Sequence, residues 1–485
     1  MSRYQLFTAL GAGLVLGVSI SMAAMAAQPG WTEESGVKRF VDNNGSYVKN
    51  EWRTDDGTSY YLDSRGNVAV DTWIEDTYYV DSQGAMQKNT WVEEDGSTGL
   101  KEPGWYYVGR DGKAEKNDWK IIDDFRYTFD NDGRMRTGWH YEGGEIYYLG
   151  DEEQGFAQSG WQFLEYNEKM PPKEGDISRD LKAGSSQGRW FYFQKNGKAK
   201  RAKSKDYEPI TIEGKKYYFD ENGVMLTGWH AVRATAEPGD ALGITRFLYL
   251  GDKDEGIVKS QWLELKQHPW DSEDGAVLKV SKADYEGPKK GESCRYYFKN
   301  DGTLAFLKSG ASSMNDAAVR IDGDSYFFDQ YGCMHTGLVK LRKGSTSQNG
   351  YFGAAGSKGI MHYGRVTEIT DKSGKELICY FNTSGSDKGA GLTGEKDGFL
   401  YYGGLLVTAK EGTDYQPFLV NGTIYLVNES GRIQTGEKKY QSAGKDAYLI
   451  EDGAVYTVDE DGEKKEEVKS GKALPTAAFD YVYTA

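Results

Sequence analysis

Tryptophan recurs along the first third of the chain at nearly even intervals. Seven copies lie 18 to 28 residues apart, at Trp31, Trp52, Trp73, Trp91, Trp119, Trp139 and Trp161, and Trp105 lies halfway through the longest interval. A period between roughly 20 and 50 residues is typical of repeat architectures, in which one short unit stacks on the next. We therefore expect the chain to grow by repetition rather than to fold around a single centre.

Between the tryptophans, aromatic runs lead into turns. Such runs read SYYLDSRG at 59–66, TYYVDSQG at 77–84, WYYVGRDG at 105–112 and KYYFDENG at 216–223. Aromatic and β-branched residues favour strands, and an Asx-x-Gly cluster supplies the positive φ of a hairpin turn. Each repeat is predicted to be one β-hairpin plus a short link. Because a lone hairpin is marginally stable, the predicted fold class is all-β, a β-solenoid of stacked β-hairpin repeats with a period near 20 residues.

Composition suggests four segments. Residues 1–26 carry a basic residue, an apolar run and small residues, which is the pattern of a secretory signal peptide; an uncleaved anchor is the alternative. Residues 27–270 hold the Trp-containing repeats. Since no tryptophan follows Trp270, residues 271–462 are predicted to be degenerate, Trp-free repeats and residues 463–485 a C-terminal tail. No segment after the signal is apolar enough to cross a bilayer.

The net charge and the composition limit the classes of partner that the chain can bind. The chain has a formal net charge of −15, which disfavours nucleic acid and anionic lipid because both bind basic surfaces. Hydrophobic residues make up only 38%, whereas the chain has 35 Tyr, 12 Trp and 62 Gly. A core built from aromatic ladders and turns is expected.

The three cysteines are too few for a disulfide framework. We expect Cys294, Cys333 and Cys379 to be buried free thiols. A single bridge between Cys294 and Cys333 is the alternative, because both flank similar strand-like runs.

The unit TGWHYEGGEIYYLG at 137–150, with its turn and the following SGW, resembles the cell-wall-binding repeats, the superfamily of choline-binding and glucan-binding modules. The resemblance covers residues 31–338 well and residues 339–462 weakly. It implies ligands held in aromatic clefts between consecutive repeats, each built from the Gly-Trp tryptophan, the aromatic that opens the following run and a ring of the next repeat. A quaternary ammonium gains about 0.5–2 kcal/mol over each ring face.

The sequence departs from the choline pattern at the residue that opens the aromatic run. This residue is tryptophan only in WYY at 105–107 and WFY at 190–192, and elsewhere it is Ser59, Thr77, Arg126, Ile146 or Lys216. Most clefts are then expected to lack one wall, which favours a saccharide or an unliganded spacer over choline. Trp91, Trp105 and Trp119 are the best candidates for a complete cage.

The prediction of ligand-binding residues extends from this cage to the tryptophans and tyrosines of the other repeats. They are Trp91, Trp105, Trp119, Trp52, Trp73, Trp139, Trp161, Trp229, Trp262, Tyr61, Tyr79, Tyr107, Tyr148 and Tyr218. Each tryptophan could instead pack between hairpins as core. Three rings supply about 3–5 kcal/mol, which corresponds to roughly millimolar affinity, so retention on a polymer needs several sites acting together.

The functional expectation is a secreted, non-catalytic protein of the cell wall or cell surface that binds wall polysaccharide or a choline-bearing polymer. We expect no metal, no cofactor and no nucleic-acid partner, because the turn motifs DNDG and DEDG lack the bidentate Glu of a calcium loop and no catalytic motif is evident. Two alternatives remain: a structural or adhesive spacer, and a wall hydrolase with an unrecognised site in residues 271–485. A protein partner of the C-terminal half is not identifiable.

Overall fold

The computed structural model describes residues 28–97, 99–166, 187–203, 207–252, 254–270, 288–441 and 446–484. The predicted signal peptide lies outside these residues. The chain divides into two compact units. Unit 1 consists mainly of residues 1–160 and unit 2 mainly of residues 199–485, with the segments between them shared. The change in composition near residue 270 falls inside unit 2.

Unit 1 is a succession of two-stranded antiparallel hairpins. Its described residues form six of them, which pair the strands in chain order: β1 Gly30–Glu34, β2 Val37–Val41, β3 Glu51–Asp55, β4 Thr58–Leu62, β5 Thr72–Ile74, β6 Tyr78–Val80, β7 Thr90–Glu94, β8 Gly104–Val108, β9 Trp119–Ile122, β10 Phe125–Thr128, β11 Trp139–Glu142 and β12 Glu145–Tyr148. The tryptophan lies in the first strand of every pair and the aromatic run in the second. The prediction of an all-β chain of hairpins is confirmed.

Most of these hairpins close through a two-residue turn in front of the aromatic run. In the β3–β4 hairpin both turn residues have positive φ, 45° at Asp56 and 79° at Gly57. Such turns match the right-handed twist of the flanking strands, which is why they connect two-residue hairpins. The same geometry occurs with two acidic residues at Asp123 and Asp124, with φ of 49° and 68°.

The Asx-x-Gly clusters lie in the links instead. After β4, Asp63 Oδ1 accepts hydrogen bonds from the backbone N–H of Arg65 (2.8 Å) and Asn67 (2.9 Å), and Gly66 takes a φ of +83°. The chain then reverses, so that Val68 bridges Leu62 antiparallel. The clusters are therefore hairpin turns that follow the aromatic strands, as expected, and each begins the link to the next hairpin.

Consecutive hairpins are joined by a recurring backbone hydrogen bond. The N–H of a residue in the link donates to a carbonyl in or beside the second strand of the preceding hairpin, at distances of 2.7–3.2 Å. The pairs include Val68 to Lys38, Met86 to Ser59, Ala114 to Thr77, Met135 to Trp105, Ala157 to Arg126, Met225 to Trp190 and Val258 to Lys216. Each repeat therefore satisfies backbone groups of its neighbour, as a marginal hairpin requires.

Unit 2 begins with four similar hairpins and continues with larger sheets. The eight strands of these hairpins pair two by two in chain order: β13 Gly160–Tyr166, β14 Gln187–Phe193, β15 Ile210–Ile212, β16 Lys215–Tyr217, β17 Trp229–Ala231, β18 Phe247–Tyr249, β19 Gln261–Leu265 and β20 Cys294–Phe298. A 3-10 turn at Ile244–Arg246 precedes β18, and the short helix α1 spans Met314–Ala317.

The Trp-free part of unit 2 contains sheets of two to five strands. Its strands are β21 Ala318–Ile321, β22 Asp324–Phe328, β23 Met334–His335, β24 Leu338–Lys343, β25 Thr346–Tyr351, β26 Gly364–Thr370, β27 Glu376–Phe381, β28 Gly394–Lys396, β29 Phe399–Tyr402, β30 Leu405–Leu406, β31 Tyr415–Val420, β32 Thr423–Asn428, β33 Lys439–Gln441, β34 Ala447–Glu451, β35 Ala454–Val458, β36 Lys464–Glu467 and β37 Tyr481–Thr484. The segment predicted as a tail contributes β36 and β37. Strand β37 runs parallel to β24, and Asp480 Oδ2 accepts a hydrogen bond from the Leu338 N–H at 2.7 Å.

Two of the cysteines form a disulfide. Cys294 at the start of β20 is bonded to Cys333, 39 residues later. The expectation of free thiols is wrong for this pair, because the stacking of the two hairpins brings their backbones to a Cα–Cα distance of 5.6 Å. Cys379 is a buried free thiol, and burial raises its pKa to about 12.

Candidate binding sites in aromatic clusters

The two aromatic residues of each run serve different hairpins. Strand side chains alternate between faces, so neighbouring rings diverge. In the run at 59–62, Tyr61 packs on Trp52 of its own hairpin, with ring centroids 5.3 Å apart. Tyr60 packs instead on Trp31 of the preceding hairpin, also at 5.3 Å. Trp31 and Trp52 therefore each contact one ring from their own hairpin and one from the next.

The most complete ring cluster in unit 1, here called the Trp91 cage, consists of Trp91, Trp105, Tyr107 and Tyr127. Trp105 lies 6.5 Å from Trp91 at an interplanar angle of 86°, so the two indoles form a right-angled corner. Tyr107, opposite Trp91 in the hairpin, is 5.1 Å away, and Tyr127 of the next hairpin is 4.8 Å away. The indoles of Trp91 and Trp105 are half-buried, whereas Tyr127 is 1% exposed and forms the base of the cluster.

Unit 2 contains the same arrangement, here called the Trp161 cage, built from Trp161, Trp190, Tyr192 and Tyr217. Trp190 lies 6.3 Å from Trp161 at 85°, Tyr192 at 5.1 Å and Tyr217 at 4.8 Å. The three ring pairs match those of the Trp91 cage to within about 0.2 Å in distance and 5° in interplanar angle. Two separate segments thus fold into one geometry because both runs begin with tryptophan.

Both cages present neutral ring faces beside acidic groups. Burial, together with nearby Asp123 and Glu115, raises the pKa of Tyr107, so its hydroxyl stays neutral at ordinary pH. In the other cage, Trp190 Nε1 donates to Asp254 Oδ1 at 3.4 Å. Neutral aromatic faces flanked by carboxylates attract a cation with low hydration, such as a quaternary ammonium.

The structure places Trp119 outside the cage predicted for Trp91, Trp105 and Trp119. Trp119 packs on Tyr147 at 4.9 Å, and the Arg126 guanidinium lies 3.9 Å from its ring centroid. Its cross-strand partner is Thr128, not an aromatic residue. The ring that completes the Trp91 cage is Tyr127, because the first aromatic residue of a run points back toward the preceding hairpin.

The other predicted tryptophans lie in ring clusters of varied composition. Trp52 contacts Tyr61 and Tyr78, Trp139 contacts Tyr148 and Phe193, and Trp262 contacts Tyr297 and Tyr326. Their role as ligand contacts stays a prediction.

Three predicted residues are core residues by burial. Trp229 is 1% exposed between Tyr249 and Tyr296, each 5.3 Å away. Trp73 is 5% exposed and contacts Tyr79 at 5.3 Å; its Nε1 donates to the buried Glu94 Oε1 at 2.6 Å. Tyr218 is 7% exposed in a cluster with leucine and valine side chains. These rings stabilise hairpin stacking, as the packing interpretation of each tryptophan expects.

Four cage residues were absent from the predicted set: Trp190, Tyr192, Tyr127 and Tyr217. The sequence contained a signal for Trp190 and Tyr192, since WFY at 190–192 has the form of WYY at 105–107. Tyr127 and Tyr217 could have been found by noting that the first aromatic of each run faces backward. The prediction selected the second aromatic of each run instead.

Neither metal nor membrane features emerge from the described residues. Within the ranges given above, no group of three or more His, Cys, Asp or Glu side chains is arranged to hold a metal ion. In the same part of the chain, no helix has the length and apolar character needed to cross a membrane.

His140 is buried beside Trp119, and desolvation lowers its pKa.

Comparison with known families agrees with this geometry. The model of the choline-binding repeat matches residues 46–85 and 67–113, and the model of the cell wall binding repeat matches residues 210–225. The choline-binding repeat match at 67–113 includes Trp91 and Trp105, and the match at 210–225 includes Tyr217. The resemblance to choline-binding and cell wall binding repeats is therefore confirmed for residues 46–113 and 210–225.

Two curated relatives are glucosyltransferases. Glucosyltransferase-I of Streptococcus downei is 28% identical over 366 residues, which cover 65% of this chain and 21% of that protein. Glucosyltransferase-S of Streptococcus mutans is 27% identical over 291 residues, which cover 56% of this chain and 16% of that protein. The chain spans about a fifth of the length of the relatives it matches.

Solved structures with similarity to this chain include choline binding protein F from Streptococcus pneumoniae. The two sequences are 19% identical, and the TM-score is 0.31. The match covers 79% of this chain and 99% of that one. The choline-binding domain of CbpL from the same organism has 26% identity, a TM-score of 0.25, and coverage of 41% and 98%.

Proposed function

We propose that the protein is a secreted, non-catalytic cell-wall or cell-surface protein that holds quaternary ammonium groups, such as the choline of a substituted wall polymer, in the Trp91 and Trp161 cages. The observation that carries the proposal is the duplicated corner of two perpendicular indoles over a tyrosine base. Ring faces bind a cation but offer no nucleophile or general base. Binding without catalysis is therefore the chemistry that these residues support.

The proposal includes a stacked arrangement of the hairpins as a solenoid within each unit. It is supported by the recurring backbone hydrogen bond between consecutive hairpins and by the backward-facing tyrosines. Each cage is completed by a residue of the next hairpin, so stacking and binding depend on the same contacts.

The expected affinity of one cage is low. Three ring walls supply about 3–5 kcal/mol, which corresponds to roughly millimolar dissociation constants. Two cages on one chain raise the retention on a polymer that carries many choline groups, because the second contact forms at high effective concentration. The net charge of −15 adds a long-range attraction for a cationic ligand.

The proposal is tested by titrating the full chain with choline in a calorimeter and by its retention on a choline-substituted resin. Two sites are expected for the unmodified chain, and elution by free choline. The double variant Trp105→Ala with Trp190→Ala should lose both sites.

Tyr402→Ala is the matched control, since Tyr402 is an exposed aromatic of unit 2 outside both cages. It should bind as the unmodified chain does. No binding by the unmodified chain, or equal binding by the double variant, would contradict the proposal; hydrolysis of purified cell walls would contradict its non-catalytic part.

A further inference from the structure

The residue that opens the second strand's run occupies one equivalent place in the Trp-containing hairpins. It stands two positions before the ring or side chain that pairs with tryptophan, so it lies on the same face of the hairpin as that tryptophan. Trp105 has this place in the Trp91 cage, and Trp190 has it in the Trp161 cage. In three other Trp-containing hairpins a cationic residue has it: Lys38, Arg126 and Arg295.

Each of these cations lies over the tryptophan of its own hairpin. The Lys38 Nζ is 4.5 Å from the Trp31 centroid and 3.9 Å from that of Tyr60 in the next hairpin. The Arg126 guanidinium is 3.9 Å from the Trp119 centroid and 5.7 Å from that of Tyr147.

Arg295 repeats the arrangement in unit 2. Its guanidinium is 4.5 Å from the Trp262 centroid. In all three clusters the cation therefore faces rings of the kind that form the walls and base of the two cages.

Oxygen partners hold these cations in place over the rings. Lys38 Nζ contacts Asp55 Oδ2 at 2.9 Å. Arg126 Nη1 donates to the Asn196 carbonyl at 2.9 Å, and Arg295 Nη1 donates to the Lys358 carbonyl at 3.4 Å. A cation anchored in this way loses less freedom on ring contact than a free ligand does, so it competes at high effective concentration.

A fourth cluster receives a cation by a different route. Lys101 comes from the loop between β7 and β8, yet its Nζ lies 5.3 Å from the Trp73 centroid and 5.5 Å from that of Tyr106. The side chain is only 8% exposed, and its Nζ donates to the carbonyls of Asp132 (2.9 Å) and Asp76 (3.2 Å). Here Thr77 opens the run, and the missing cation is supplied from elsewhere in the unit.

We propose that the residue opening each aromatic run decides where the cation of a ring cluster comes from. Tryptophan at this place builds a cage for an external quaternary ammonium, whereas lysine or arginine fills the cluster from within the chain and closes it to that ligand. The clusters of Trp31, Trp119 and Trp262 are self-filled in this sense, and Lys101 self-fills the cluster of Trp73. The inference rests on the proposed function, because it assigns specificity among the same kind of site.

The first test is a gain of binding. Arg126→Trp rebuilds the Trp119 cluster as a cage, so calorimetric titration of the full chain with choline should give three sites instead of two. Arg320→Trp is the matched control, because Arg320 is exposed on β21 and opposes Ser325. It should leave the number at two.

The second test does not depend on how many sites the unmodified chain has. Arg126→Ala removes the internal cation, so the melting temperature should fall, and tetramethylammonium chloride should restore part of the loss. Sodium chloride at equal ionic strength should not. The unmodified chain should respond to tetramethylammonium by a smaller shift than Arg126→Ala does.

The outcomes separate the two proposals. An unmodified chain without any choline site contradicts the proposed function, while rescue of Arg126→Ala still supports internal filling. Two sites in the unmodified chain and two in folded Arg126→Trp overturn the inference. If Arg126→Trp does not fold, the rescue experiment decides: equal shifts for Arg126→Ala and the unmodified chain overturn it.

Discussion

The Trp91 and Trp119 hairpins are neighbours in unit 1 and differ at the residue that opens the run. In the first, Trp105 stands at a right angle to Trp91. In the second, Arg126 lies over Trp119 at 3.9 Å. Both tryptophans contact a tyrosine of the next hairpin, Tyr127 and Tyr147, at 4.8 and 4.9 Å.

Under the proposed function, a tryptophan in the repeat does not by itself define a binding site. The stacking of hairpins supplies one ring in both cases. The side chain two positions before the cross-strand partner of the tryptophan differs. A tryptophan there adds a ring wall that an external cation can contact, whereas an arginine there places an internal cation over the ring.

The largest expected effect separates core tryptophans from cage tryptophans. Trp229→Ala should lower the free energy of unfolding of unit 2 by about 3–5 kcal/mol, because Trp229 is 1% exposed between aromatic rings. Chemical denaturation followed by fluorescence measures this loss. Choline binding at the Trp91 cage in unit 1 should be unchanged, and a loss of that site would remove the distinction.

A second effect on stability comes from the disulfide. Reduction of Cys294–Cys333, which closes a loop of 39 residues, should lower the stability of unit 2 by about 2–4 kcal/mol. Thermal melts with and without reductant measure the shift. Cys379→Ala is the control and should respond in the same way, because burial raises the pKa of the Cys379 thiol to about 12 and keeps it unreactive.

The substitution Trp105→Arg places in the Trp91 hairpin the kind of residue that opens the run of the Trp119 hairpin. It should give the Trp91 cage the self-filled form of the Trp119 cluster and weaken choline binding there by about tenfold or more, since one ring wall is worth about 1–2 kcal/mol. Calorimetry should show one remaining site, that of the Trp161 cage. Undiminished binding at both sites would show that the wall does not matter.

The smallest expected effect concerns charge on the tyrosines. Burial raises the pKa of Tyr107, so the hydroxyl stays protonated and adds no negative charge to the cage as the pH rises from 6 to 9. Choline affinity should therefore be constant over this range, and Tyr107→Phe should change it by less than about 0.5 kcal/mol because the ring is retained. A tenfold rise in affinity with pH would indicate a tyrosinate in the site.

Much of this structure could be predicted from the sequence. The spacing of tryptophans and the aromatic runs predicted hairpin repeats, and WYY at 105–107 pointed to the fullest cage. The direction of each tyrosine was harder to predict, since adjacent residues differ only in the face they present. The resemblance implies a ring of the next repeat in the cage, for which the prediction takes Trp119, whereas Tyr127 contacts Trp91 in the structure.

The sequence by itself determined the repeating hairpins, because alternation, turn residues and period are local properties of the chain. The tertiary structure alone decided which rings meet and which cations cover them. Lys101 reaches Trp73 from 28 residues away, and Cys294 reaches Cys333 across 39. These contacts depend on how each hairpin stacks on the next. The energy of a ring pair, or of a cation over a ring, depends on distances between residues of different hairpins, and no single segment of the sequence determines those distances.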